Sequence, residues 1–248
     1  MNTRARRIWH TTQLLLQQAG HLRVAWLVGG AVAAFIVLAL ALRHFHFGSE
    51  EARFYLSAAR MALFAGGATL CALTGPALFF DAERSRVVQL LLVRGVRRGE
   101  WVGALWLVHL VLIGALVLIS VGALAAVLAS RDLAAAIPDA VRQLALGGGP
   151  LVILSGAAVL ASALTRSAPA AAGVTFAIAI AGQLAPILRH VQARTDGIAQ
   201  WAWRALDWLV PDFSLALSGN ATAAALYAVA FSAVYVALGA VLFSRREL

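Results

Sequence analysis

The chain has 248 residues, of which 62% are hydrophobic and only 12% charged, against about a quarter charged in a soluble domain. That leaves too little polar side chain to cover a water-soluble fold, which excludes a soluble globular protein and makes the bilayer the main solvent. The formal net charge is +9 and every one of the 20 basic residues is arginine. Without lysine the chain cannot build the GxxxxGK[ST] phosphate loop. The arginines fall mainly in short links between apolar runs, where they mark topology and headgroup contact and do not indicate a nucleic-acid surface.

Residues 4–23 open the chain with a helical period. Ile8, Thr12, Leu15, Ala19 and Leu22 share one face, and His10, Gln13, Gln17 and His21 the other. With Arg4, Arg6 and Arg7 at its start, the segment reads as an amphipathic helix lying in the cytoplasmic interface. It is too long and too polar for a cleavable signal peptide, so the span that follows is expected to be retained.

Six segments then meet the requirement of roughly 20 apolar residues per membrane helix: 24–42, 54–80, 101–128, 147–165, 168–188 and 221–243. The second and third exceed the bilayer thickness and are expected to tilt or project. Thr165-Arg166-Ser167, with Pro169 just beyond, makes a tight hairpin of the fourth and fifth. The expected fold is a single all-α integral membrane domain with six transmembrane helices.

Few residues in these spans bear chemistry. His44 and His46 form an HxH pair near Glu50 and Glu51, but no third ligand accompanies them and no metal is expected. Cys71 stands alone in an apolar run and reads as a packing thiol. Ser155-Gly156 is no nucleophile elbow, so no catalytic residues and no enzymatic activity are expected. Polar side chains within spans are functional hypotheses by default. Three qualify: Arg60 in the second span, placed to snorkel outward, His109 in the third and Gln183 in the fifth. Each would line a pathway or bridge helices by hydrogen bonds. Gly66, Gly67, Gly147, Gly148, Gly149, Gly156 and Gly173 are expected to let helices approach closely.

The links complete the pattern. Residues 189–220 carry Ile198, Trp201, Ala202, Ala205, Trp208 and Leu209 on one helical face, an amphipathic segment expected to cap the outer end and to break at Pro211-Asp212. Residues 81–100, between the second and third spans, hold five arginines (Arg84, Arg86, Arg94, Arg97 and Arg98) around Val87-Val88-Gln89-Leu90-Leu91-Leu92. In a helix Val87, Leu90, Leu91 and Arg94 share a face, giving an apolar ridge flanked by cations. With the N-terminus inside, twelve arginines fall on the cytoplasmic side and seven on the other, which places both termini in the cytoplasm.

This inner link resembles that of the membrane subunits of ABC exporters of the second type, the ABC type 2 permeases. The matching residues are Glu83-Arg84, Leu90-Leu91-Leu92, Arg94-Gly95-Val96-Arg97-Arg98 and Glu100-Trp101. The stretch Val210-Pro211-Asp212-Phe213-Ser214-Leu215 and the ending Phe243-Ser244-Arg245-Arg246-Glu247-Leu248 are also similar to the family's. The chain departs from the pattern at Arg86-Val87, where a Gly-Thr step is usual, and at Gly95, where proline is usual.

The resemblance implies six spans, a cytoplasmic coupling helix over 81–100, and a bacterial inner-membrane location, which the Ala-, Arg-, Gly- and Leu-rich composition also favours. It implies that Glu83, Arg84, Val87, Leu90, Leu91, Leu92, Arg94, Arg97, Arg98 and Glu100 contact a separate ABC ATPase subunit. That partner would bind the ATP, leaving no cofactor on this chain. A second permease subunit, identical or different, would complete the pathway across the lipid bilayer. A different class of function, a non-transporting scaffold that anchors an ATPase or assembly factor, would share the link but need no polar pathway.

Overall fold

The computed structural model describes residues 3–21, 23–38, 51–192, 210–217 and 220–246, and these are helical with short turns between. The helices are α1 (Thr3–His21), α2 (Arg23–Leu38), α3 (Glu51–Arg84), α4 (Val87–Val93), α5 (Arg98–Ala129), α6 (Ile137–Leu146), α7 (Gly149–Leu164), α8 (Ala168–Gln192), α9 (Phe213–Ala216) and α10 (Ala221–Ser244). Five described segments are long and apolar enough to cross a membrane: Glu51–Arg84, Arg98–Ala129, Ala134–Leu164, Ala168–Ile187 and Ala221–Ser244. The described residues are thus all-helical apart from turns, with the character of a multi-pass membrane protein. The span expected over 24–42 is described as far as Leu38, and His44, His46 and most of the 189–220 link lie outside the described residues.

Burial separates centre from rim. Two thirds of the most apolar window is buried in α3 and in the Ala134–Leu164 segment, against about a third or less in α5, α8 and α10. α3 therefore forms the axis, touching α2, α5, α7 and α8, while α10 packs most extensively on α7. Without a hydrophobic driving force in lipid, such contacts depend on close approach. A Cβ on Gly156 of α7 would fall 2.7 Å from the backbone oxygen of Ser232 on α10, so only glycine lets these two helices meet. Gly66 and Gly67 make room for the side chains of Val32 and Leu151, whereas Gly173 faces open space. Cys71 is buried, its thiol 3.8 Å from the carbonyl of Leu151.

One element differs from the sequence expectation. The fourth apolar segment starts well before residue 147, as a 3-10 turn at Ala134–Ala136 and then α6, which joins α7 through Gly147-Gly148. Pro138 sits at the start of α6, where a missing N–H costs nothing, and Ala140 and Leu144 are buried. Interspersed Asp139, Arg142 and Gln143 mask this period in the sequence.

The end of the bundle away from the 81–100 link is tied by polar contacts. Tyr55 donates to Glu51 at 3.1 Å, Arg131 lies 3.8 Å from Glu51, and Arg60 donates to Gln143 at 3.0 Å. There Pro211, Asp212 and Phe213 turn into the bundle, and all three are buried. Asp212 caps α9 by accepting from the backbone N–H of Ser214 at 2.8 Å, and its own N–H donates to the Tyr227 hydroxyl at 2.9 Å.

Candidate functional site

The 81–100 link folds as a short helix between two left-handed turns. Arg86 has φ 58° and Gly95 φ 83°. The first is a conformation that costs a non-glycine residue about 1–2 kcal/mol. The second is free for glycine, and it is the position where the resembled family usually has proline. These turns shorten the helix to the seven residues of α4 and fold it back against the ends of α3 and α5. Val88 is 1% exposed and Val96 8%, and both pack into a cluster that includes Leu15 of α1, Phe79 and Phe80 of α3, Trp101 of α5 and Phe243 of α10.

Anchoring by Val88 divides the expected ridge. Val87, Leu91 and Leu92 are half-buried against that cluster. Leu90 and Val93 face outward, 62% and 87% exposed, and Arg84, Arg86, Arg94 and Arg97 are exposed around them. The outward surface of α4 is therefore an apolar pair rimmed by four guanidinium groups.

Glu83, Arg98 and Glu100 of the link turn toward the bundle, while Asp81 is exposed. Glu100, 1% exposed, accepts from the backbone N–H of Arg97 at 3.0 Å, capping α5. Arg7 of α1 lies 3.8 Å from Glu100 and donates to the carbonyl of Gly95 at 2.8 Å. Arg98 donates to the carbonyls of Ser244 and Arg246 at 2.8 and 2.7 Å, and more weakly to that of Phe243 at 3.3 Å. Arg246 returns the contact, 3.5 Å from Glu83 and 3.4 Å from the carbonyl of Ser162 that accepts from it. Its guanidinium also lies 5.8 Å from the ring centroids of Phe79 and Phe80. The base of the link is thus bound to α1, α3, α7 and α10.

Arg7 and Arg246 escaped sequence reasoning because both sit far along the chain from the link. The available signal was aromatic: Phe79, Phe80, Trp101 and Phe243 all stand at span ends beside charges, and they form one contact set with centroid distances of 4.9–5.4 Å.

The three polar residues within spans do not come together. Arg60 lies at the opposite end, bonded to Gln143. His109 is fully buried where α3, α5 and α7 cross. Its Nδ1 donates to the carbonyl of Leu105 at 3.0 Å, and a Cβ on Gly75 would fall 2.7 Å from its Nε2. Gln183 is exposed on α8.

Two cavities among the described residues are grooves between helices. One of about 410 Å³ separates α2 from α3, and one of about 470 Å³ lies among α5, α7, α9 and α10. Among the described residues, Thr69 is the only polar side chain lining either groove, and neither groove includes Arg60, His109 or Gln183. Ser155 accepts from Trp106 at 3.0 Å and donates to the carbonyl of Val152 at 2.6 Å, a structural bridge. Among the described residues no three His, Cys, Asp or Glu side chains group as a metal site. No family's sequence model matches the chain, and no curated protein matches it.

Proposed function

We propose that this chain is the membrane-spanning permease subunit of an ATP-driven ABC exporter in a bacterial inner membrane. In this reading it has six spans, both termini in the cytoplasm and α4 as the coupling helix. The observation that carries it is the split in the link. Leu90 and Val93 stand outward at 62% and 87% exposure, while Glu83, Arg98 and Glu100 fasten its base to the bundle.

A helix presenting an apolar pair in a basic rim fits a groove with an apolar floor and acidic edges on a soluble partner. Force applied there reaches α3 and α10 through Glu83 and Arg98 without loss in a flexible loop. The chain lacks lysine, so energy from ATP comes from that partner. A pathway forms between two permease subunits, a reading supported by the apolar lining of the two grooves described within this chain.

The experiment is co-purification with an ABC ATPase sought among the products of the neighbouring genes. Leu90→Asp with Val93→Asp, and separately Arg94→Glu with Arg97→Glu, are expected to abolish association and ATP-driven transport while the protein still inserts. Retained association in both variants would sink the coupling role. The apolar grooves favour a second reading, a scaffold that anchors an ATPase without transport. In vesicles containing both subunits, ATP hydrolysis that no substrate stimulates would select it.

A further inference from the structure

The groove of about 470 Å³ opens where α5, α10 and the α6–α7 junction meet. Gly114 of α5, Gly148 and Gly149 of the junction, and Ala224, Ala225 and Ala228 of α10 leave the room for it, and every described lining side chain is apolar. Along α5 it runs from Leu118 to Leu110, about 12 Å, close to the roughly 15 Å of hydrocarbon in one leaflet.

Arg142 stands at the end of this groove away from the 81–100 link. It precedes the lining residues Ala145 and Leu146 by three and four positions on α6, so it shares their face one turn on. Its depth follows from its neighbour, because Gln143 accepts from Arg60, nine residues and about 13 Å inside the start of α3. The 34 residues of α3 span about 51 Å against about 30 Å of hydrocarbon. With α3 centred in the bilayer, the level of Arg142 falls where acyl chains meet headgroups.

Other arginines at this end are partnered, Arg60 by Gln143 and Arg131 by Glu51. Arg142 is exposed and has no hydrogen bond or ion pair with any described residue, Asp139 one turn earlier included. A guanidinium beside an apolar trough at this depth is complementary to an amphiphile with an anion at one end and a long chain behind it. Its planar fork fits phosphate oxygens, and its charge favours a net-negative headgroup over a zwitterionic one. The trough offers no side-chain hydrogen-bonding group, which suits an acyl chain. A Cβ on Gly114 would meet nothing within 4 Å, so the protein leaves that space to an occupant.

We propose that this groove holds one acyl chain of an anionic phospholipid, in the leaflet away from the 81–100 link, with the headgroup phosphate on Arg142. The lipid fills the space between α5 and α10 and holds them at their observed separation. The site needs neither α4 nor an ATPase.

The test is native mass spectrometry of the purified full chain, titrated in detergent with phosphatidylglycerol or with phosphatidylcholine of identical chains. The parent is expected to retain one phosphatidylglycerol at a lower concentration than phosphatidylcholine. Arg142→Gln is expected to weaken phosphatidylglycerol retention about fivefold and to leave phosphatidylcholine unchanged. Gly114→Phe, which fills the groove, is expected to remove both lipids. Gly122→Phe, about two turns further along α5 and equally unobstructed, is expected to behave as the parent.

Equal retention of the two lipids by the parent overturns the proposal, as does phosphatidylglycerol retention that either Arg142→Gln or Gly114→Phe leaves unchanged. A third result also overturns it. If a cysteine at Gly114, on a Cys71→Ala background, forms a disulfide with another protein or a second copy in native membranes, the groove is a protein interface.

Discussion

The guanidinium of Arg98, in the first turn of α5, donates to the carbonyl of Ser244 in the last turn of α10 at 2.8 Å. The carbonyls of Phe243 and Arg246 lie within reach of the same nitrogen. A helix leaves its last four carbonyls without internal donors, and its C-terminus carries partial negative charge. One cation from the neighbouring helix meets both needs. Because only residues 94–97 separate Arg98 from α4, the end of the last helix and the base of the link are held as one body.

Arg98→Ala is expected to lower stability by about 1.5–3 kcal/mol, the range for hydrogen bonds to a charged group. Arg98→Lys should recover only part of that loss, since a single ammonium does not reproduce the planar fork of the guanidinium. Unfolding in bicelles, followed by a label on α10, reads both variants. Equal stability of Arg98→Ala and the parent would show that the carbonyls are satisfied by solvent.

Much of the architecture is legible in the sequence because the bilayer imposes it. Helices cover the apolar segments expected over 54–80, 101–128, 168–188 and 221–243 to within a few residues, and Thr165-Arg166-Ser167 makes the expected hairpin turn. The α6 start of the fourth span was not legible, since Asp139 and Arg142 mask a face whose burial depends on α5. The orientation of α4 was hidden for a related reason. Helical periodicity groups Val87, Leu90 and Leu91, but which side turns inward is decided by Phe79, Trp101 and Phe243 beneath Val88, a long-range cluster. Arg246 reaching Glu83 across most of the chain is likewise a product of tertiary packing alone.

The α7–α10 contact gives a prediction on packing. Gly156→Ala places a methyl 2.6 Å from the Ser232 hydroxyl and 2.7 Å from its backbone oxygen. The hydroxyl can move, but the backbone cannot without shifting α10. A loss of about 1–3 kcal/mol follows, and Ser232→Gly on the partner helix should relieve only the smaller part of it. Full rescue in a double-mutant cycle would mean that the side chain alone was in the way.

A packing role for His109 is measurable against Gly75. Gly75→Ala would push a methyl against the imidazole, at 2.7 Å from Nε2, and is expected to cost about 1–3 kcal/mol. In a His109→Ala background most of that cost should vanish, since the methyl then enters the space the ring vacated. Additive losses would show that the two positions are not in contact and would return His109 to consideration as a pathway residue.

The two sides of α4 should respond oppositely to truncation. Val88 is buried at 1% exposure and Leu90 is 62% exposed. Val88→Ala removes two methyls from a packed cluster and is expected to cost about 1–2 kcal/mol, at the lower end of the range for core truncations. Leu90→Ala touches little of the chain itself and should stay within about 0.5 kcal/mol of the parent. With a partner bound the order reverses: Leu90→Ala should weaken association more than Val88→Ala does, because only Leu90 is available to an outside groove. Measuring stability and association on the same pair separates anchoring from docking. If Leu90→Ala destabilises the isolated chain as much as Val88→Ala, then both side chains serve the fold and the outward surface of α4 is not a docking face.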